Sequence, residues 1–300
     1  MRVVVGILST TLVVSNVVLH CLPLFLIGLV RLLARGLGMI RAERRIARAM
    51  DRIVDSWIVV NRLIFGLLDL TRLDVTWSDD DGIGRDKWYM VVSNHQSWTD
   101  ILVLQTTLVD RIPMLKFFTK RQLMWVPFVG QAMWFLDFPY VRRFSREAIE
   151  ANPALLDLDR QATLVACEKF RNHPVSALNF LEGTRFTPDK HHAQDEPRFQ
   201  RLLNPKTGGL SLVLGELSDR IDKLVDVTID YPDGVPTIWE FMQGRCGRII
   251  MRVTFRDIPP AVLAAPDDQA RREATNEWIE SIWREKDIVL TREPLTGLAN

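Results

Sequence analysis

From Val3 to Val30 the chain carries no Asp, Glu, Lys or Arg, and Leu, Val and Ile dominate. That run exceeds the roughly 20 residues that cross a bilayer as a helix. It is also too long for the apolar region of a cleaved signal peptide, about 7–15 residues. Asn16, His20 and Pro23 interrupt it, so the helix either spans or re-enters the membrane. A second apolar patch, Trp57 to Leu68, is short and contains Arg62. It reads as a helix lying in the membrane interface, or else as a core helix of the following domain. Residues 1–70 are therefore expected to form a membrane-embedded helical anchor, and residues 71–300 the catalytic-sized globular domain.

From Leu73 onward the pattern alternates between strand and helix. Leu73 to Trp77, Trp88 to Ser93, Pro113 to Thr119, Leu136 to Val141, Val175 to Phe180, Leu224 to Tyr231 and Ile249 to Phe255 read as strands. Ser97 and Asp100 fit a capping box opening a helix to about Leu108, and Asn152-Pro153 opens another to about Arg171. Gln122 to Trp134 is an interrupted apolar helical patch; Thr207 to Leu217 and Asp267 to Glu285 are further helices. Lys190 to Arg201 lacks a pattern and is expected to be a loop. Strands alternating with helices predict an α/β fold, a mixed and largely parallel sheet flanked by helices.

Charge adds direction. Arg31, Arg35, Arg41, Arg44, Arg45, Arg48 and Arg52 follow the apolar run, and only Arg2 and the amino terminus precede it. The positive-inside bias puts everything after the anchor in the cytoplasm. A net charge of +1 argues against a nucleic-acid surface. Cys21, Cys167 and Cys246 are far apart, which suits neither a disulfide framework nor a zinc site. His191-His192 finds no third ligand of suitable spacing, and His173, before Pro174, is expected to cap helix carbonyls. No cofactor or metal is implied.

Two short segments carry chemistry. In Asn94-His95-Gln96-Ser97-Trp98-Thr99-Asp100, five residues on one helix would put His95 and Asp100 on different faces. They meet only if His95 precedes the helix and Asp100 lies in its first turn. Asp100 would then fix the imidazole tautomer and leave the other nitrogen to take a proton from a hydroxyl. Backbone N–H groups near Ser97 would be placed to stabilise an oxyanion. Alone, this spacing is common and Asp100 reads equally as a capping acid. The second segment, Phe180-Leu181-Glu182-Gly183-Thr184-Arg185, leaves a strand at a glycine. Arg185 can clamp a phosphate, Thr184 adds a hydroxyl, and Glu182 would bind a substrate hydroxyl or pin Arg185. Alone, it reads as a polar turn with a surface ion pair.

Together, in this order and separation, the two segments resemble the first and third blocks of the glycerolipid (PlsC-like) 1-acylglycerol-3-phosphate O-acyltransferases, over about Trp88 to Tyr231. The resemblance implies the glycerolipid acyltransferase fold with a membrane-embedded helical pair. It implies His95 as base, Asp100 as its orienter, and Arg185, beside Glu182, Gly183 and Thr184, at the phosphate. Phe138 to Arg143 resembles the second block, with Arg142 as its arginine and Arg143 beside it, and Lys120 resembles the lysine upstream. Lys120 otherwise reads as a solvated or headgroup-facing charge. The fourth block lacks its proline in Val225-Asp226-Val227-Thr228-Ile229, as in the lysophosphatidic and lysocardiolipin acyltransferase branch.

The expected reaction moves a fatty acyl group from acyl-CoA or acyl-carrier protein to the sn-2 hydroxyl of lysophosphatidic acid or a related lysophospholipid. The expected setting is a bacterial inner membrane, among its phospholipids. A thioesterase or lysophospholipid hydrolase using the same dyad is the first alternative, and a non-catalytic lipid-binding protein the second. Met124 to Trp134 reads as ordinary core or as the wall of an acyl tunnel.

Overall fold

The computed structural model describes residues 1–78, 82–141, 152 and 154–292. Two long helices open it, α1 (Arg2–Gly36) and α2 (Ile40–Leu67). Their contacts run in opposite order. Asn16 Nδ2 donates to Asn61 Oδ1 at 2.9 Å, His20 Nε2 lies 3.2 Å from Ser56 Oγ, and Arg31 bridges to Glu43 at 2.7 Å. The pair is therefore an antiparallel hairpin. α1 is long and apolar enough to cross a membrane by length and composition.

The expected short helix from Trp57 to Leu68 is the last third of one continuous α2. Ala47, Met50, Val54, Ile58, Asn61 and Phe65 recur along its buried face at helical spacing. The Ala- and Arg-rich stretch before Asp51 favours helix and extends it backwards. Ile64 and Phe65 join the core beneath the sheet, whereas Leu63 and Leu67 stay exposed. The far end of α2 thus belongs to both the hairpin and the globular part.

The globular part begins with β1 (Arg72–Trp77), β2 (Trp88–Ser93) and α3 (Thr99–Leu108). β3 (Leu115–Phe117), β4 (Thr119–Lys120), a 3₁₀ turn (Arg121–Trp125), α4 (Val129–Phe135) and β5 (Tyr140–Val141) follow. Then come α5 (Ala154–Phe170), β6 (Ser176–Phe180), α6 (Gly208–Glu216), β7 (Ile221–Asp230), β8 (Arg248–Arg256) and α7 (Asp268–Thr291). Single helical turns lie at Pro188–His192, Ile238–Met242 and Pro260–Leu263. The first of these occupies the start of the segment expected to be a loop, because Thr187 caps it through its side chain.

Six strands form one sheet in the order β1-β8-β7-β2-β6-β3, parallel except for β7 against β8. β2 shows why it is central: Tyr89 and Val91 enter the core on one face, Met90 and Val92 the core on the other, and all four are buried. α2 and α3 cover the first face; α5, α6 and α7 cover the second.

Two expected strands are shorter than read. Pro113 to Thr119 divides into β3 and β4, and Leu136 to Val141 shrinks to β5, which pairs with β4 outside the main sheet. Asp137 takes a positive φ of 58°, which ends any extended run there, and Pro139 has no N–H to offer a ladder.

α1 is fastened to the globular part at both ends. Ser9 Oγ donates to the Met242 carbonyl at 2.6 Å, and Arg31 Nη1 donates to the Phe135 carbonyl at 2.9 Å. Gly28 allows the second attachment, since a Cβ there would stand 2.4 Å from a Phe135 ring carbon.

Candidate active site

β2 and β6 are parallel neighbours whose register pairs Ser93 with Phe180. The two strands end level, so Asn94–Asp100 and Leu181–Arg185 emerge side by side at the C-terminal edge of the sheet. Open α/β sheets hold their ligands at that edge. Asn94 locks the third strand in place: its amide donates to the Ile229 carbonyl and accepts the Ile229 N–H, both at 2.8 Å.

His95 precedes α3 and Asp100 lies in its first turn, the only arrangement that lets them touch. His95 Nδ1 is 2.8 Å from Asp100 Oδ2. Asp100 is wholly buried, and its oxygen also accepts the N–H groups of Gln96 at 2.7 Å and Ser97 at 2.9 Å. Its second oxygen accepts the Tyr231 hydroxyl at 2.5 Å. An ionised carboxylate only accepts, so Nδ1 carries the proton and Nε2 presents a lone pair. Nε2 has no hydrogen-bond partner among the described residues. The ring is 13% exposed and stacks on Phe180, with centroids 4.0 Å apart and planes 17° off parallel.

Three expectations change here. The N–H groups of Gln96 and Ser97 are consumed by Asp100, so they cannot form an oxyanion hole. Ser97 does not cap in the expected way either. Its hydroxyl donates to the Pro236 carbonyl at 2.6 Å and accepts from Thr99 N rather than Asp100 N. Glu182 neither faces a substrate nor pins Arg185. Its two oxygens accept the backbone N–H of His95 at 2.7 Å and of Leu203 at 2.9 Å. It is 1% exposed, and burial pushes its carboxyl up to about 7, against the downward pull of those two N–H groups. Glu182 is a brace holding the His95 backbone to the second segment.

Gly183 takes φ +71°, and a Cβ there would stand 3.3 Å from Lys206 Cδ. The turn therefore lies beneath the Lys206 stem, and Lys206 N also donates to the Leu181 carbonyl at 2.7 Å. Lys190 Nζ donates to Thr184 Oγ1 at 2.8 Å and to the Arg185 carbonyl at 3.0 Å. The exposed Arg185 guanidinium sits 5.2 Å from the Trp98 ring centroid. Neither Arg185 nor Lys206 has an ion-pair partner among the described residues. Three cations thus surround the Glu182–Arg185 turn beside His95, an anion-binding arrangement. Lys120 lies in β4, with its side chain outside the described part, and Arg142 and Arg143 lie outside the described residues.

Sequence reasoning missed Tyr231, Lys190 and Lys206. Tyr231 directly follows β7, before Pro232, a position whose polar end had to find a partner once buried. Nothing local singles out either lysine. His173 does not cap a helix. It is buried with Nε2 3.2 Å from Lys116 Nζ and 3.8 Å from Asp51 Oδ2, and burial beside Lys116 takes its imidazole down to about 3.

A cavity of about 230 Å³ lies between the hairpin and the globular part. Ile101 and Leu102, directly after Asp100, line it from α3; Leu24 and Trp57 line it from the hairpin, and Ala132 and Met133 from α4. The apolar residues of α4 are thus both core and cavity wall: Met133 belongs to a buried cluster with Leu24 and Met50 and also lines the cavity.

Comparison with known proteins agrees with this geometry. Residues 74–229 match the family described as Acyltransferase. The 1-acyl-sn-glycerol-3-phosphate acyltransferase gamma of Mus musculus is 24% identical over 216 residues, covering 67% of this chain and 52% of that protein. The 1-acyl-sn-glycerol-3-phosphate acyltransferase 3 of Arabidopsis thaliana is 23% identical over 217 residues, covering 68% and 53%. The chain spans about half the length of these relatives. The crystal structure of PlsC, the 1-acyl-sn-glycerophosphate acyltransferase of Thermotoga maritima, has the same fold. Its TM-score is 0.50 at 17% identity, over 97% of this chain and 99% of that one.

Proposed function

The chain belongs to the Acyltransferase family, and from that premise we propose that it acylates a lysophospholipid at its membrane surface. The acyl donor is acyl-CoA or acyl-carrier protein, the acceptor is the sn-2 hydroxyl of lysophosphatidic acid or a related lysophospholipid, and the product with lysophosphatidic acid is phosphatidic acid. One observation carries the reading. His95 has Nδ1 locked onto buried Asp100 while Nε2 stays unpartnered among the described residues, beside three cations, and the helix that follows Asp100 lines an apolar cavity.

In this reaction Nε2 takes the proton of the acceptor hydroxyl as its oxygen attacks the thioester carbonyl. The C–S bond then breaks, and the imidazolium returns its proton to the departing thiolate. No bond to the enzyme forms. Arg185, Lys190 and Lys206 hold the acceptor phosphate, and the cavity beyond Ile101 takes the acyl chain. Phosphate and chain are thereby held on either side of His95, which supplies the orientation that a two-substrate transfer needs.

α1 holds the enzyme at the bilayer. Leu8, Leu12, Leu19, Leu22, Leu26 and Leu33 are all exposed along its length, a surface suited to lipid rather than water. Residues 1–70 act as the anchor of a bacterial inner-membrane enzyme whose catalytic part faces the cytoplasm.

The test is an acyl-transfer assay on purified, detergent-solubilised protein given acyl-CoA and lysophosphatidic acid, beside His95→Ala. Phosphatidic acid from the wild type and none from the variant is expected. Equal product from both would remove His95 from the mechanism. Free fatty acid without phosphatidic acid would make the enzyme a hydrolase.

A further inference from the structure

Arg41, Arg44, Arg45, Arg48 and Arg52 lie on α2 at spacings of three, one, three and four residues. At about 100° per residue, these positions fall within an arc of roughly 100° on one face of the helix. The opposite side buries Ala47, Met50 and Val54, and all five arginines are exposed. None has a carboxylate within ion-pair distance among the described residues. Asp55, the carboxylate that feels the charge of Arg52, already pairs with Arg85.

Apart from Arg2 at the start of α1, the other arginines of the hairpin differ. Arg31 and Arg35 both bridge to Glu43 and Asp137, and Arg62 bridges to Asp110. Unpaired charge is therefore concentrated on one stripe. Like charges three and four residues apart repel one another on a helix, and no ion pair among the described residues offsets that repulsion.

Beside this stripe runs α1, whose exposed surface is apolar along its length. A surface that is apolar in one layer and densely negative in the next complements both helices. We propose that the arginine face of α2 binds the anionic phospholipid headgroups of the membrane in which α1 lies. The enzyme then partitions according to the anionic lipid content of its membrane as well as its apolar depth. This rests on the reading of α1 as a membrane helix, and it is independent of the acyl-transfer chemistry.

The test uses the full chain with vesicles of phosphatidylcholine alone or with about one-third phosphatidylglycerol. Sedimentation should find tighter partitioning of the wild type onto anionic vesicles, weakened by salt. A variant carrying Arg41→Gln, Arg44→Gln, Arg45→Gln, Arg48→Gln and Arg52→Gln should lose about fivefold in partitioning per arginine removed, down to the neutral-vesicle level. The corresponding Arg→Lys variant should keep the preference, and it decides the matter if the Gln variant does not fold. Equal wild-type partitioning onto both vesicles overturns the proposal and leaves α1 as an anchor. Retained preference in a folded Gln variant, or its loss in the folded Lys variant, also overturns it. No partitioning onto either vesicle overturns the anchor reading together with it.

Discussion

Tyr231 and Asp100, 131 residues apart in the chain, meet through a 2.5 Å hydrogen bond in the buried floor of the site. Burial, then the neighbouring carboxylate, pushes the Tyr231 phenol upward, so it remains a donor. Asp100 receives this bond on the oxygen that His95 does not use, which fixes the rotation of the carboxylate and with it the imidazole plane.

Tyr231→Phe therefore acts on turnover. A hydrogen bond to a charged group contributes about 1.5–3 kcal/mol, so kcat should fall roughly tenfold to a hundredfold. KM for the acceptor should hardly move, because Tyr231 touches no substrate. Steady-state rates with varied lysophosphatidic acid check this; a raised KM at unchanged kcat would refute it.

Arg185→Ala and Lys206→Ala should show the opposite split. Each removes a cation from the phosphate side, raising KM for lysophosphatidic acid about tenfold while kcat stays near wild type. Lys206→Arg should restore most of the loss. A Lys206→Ala enzyme with unchanged KM would leave Arg185 and Lys190 as the clamp.

Ala132→Leu places three more carbons in the wall of the cavity between α3, α4 and the hairpin. The preferred acyl donor should become shorter by a few carbons, read from competing acyl-CoAs of graded length. An unchanged preference would put the acyl chain elsewhere.

Two buried groups give stability opposite dependences on pH. His173 is neutral in the fold down to about 3 against 6.5 in the open chain. Its contribution is present above 6.5 and is lost as pH falls from there towards 3. Glu182 keeps its proton up to about 7 against 4.5 when unfolded. Its contribution is present below 4.5 and declines by roughly 3 kcal/mol as pH rises to 7. Urea midpoints across pH should therefore rise less steeply between 3 and 6.5 in His173→Gln, and lose the decline above 4.5 in Glu182→Gln. Slopes identical to wild type would contradict both assignments.

Much of this site is legible in sequence because local rules govern it. The apolar run of β2 ending at Asn94, and the requirement that His95 precede α3 for Asp100 to reach it, are short-range facts. The second segment is legible for the same reason, as a glycine turn leaving an apolar strand. The role of Glu182 is not legible because its donors, the N–H groups of His95 and Leu203, come from two other parts of the chain. The oxyanion expectation failed similarly, since nothing in the residue order reveals that Asp100 takes the Gln96 and Ser97 N–H groups as well as the imidazole. α2 is longer than its apolar patch suggests because charged residues on its outer face mask an inner stripe of Ala47, Met50 and Val54.

The two fastenings of α1, Ser9 to Met242 and Arg31 to Phe135, tie the hairpin to the globular part at two separate points. Reaction height is consequently a dimension of the fold, not of a tether. With α1 in the bilayer as proposed, His95 would stand at one set distance from the lipid. A lysophospholipid acceptor, as proposed, would then arrive sideways, drifting within the leaflet until a glycerol hydroxyl comes level with the imidazole. Lysolipids whose hydroxyl sits at another level would be poor substrates even with a perfect headgroup.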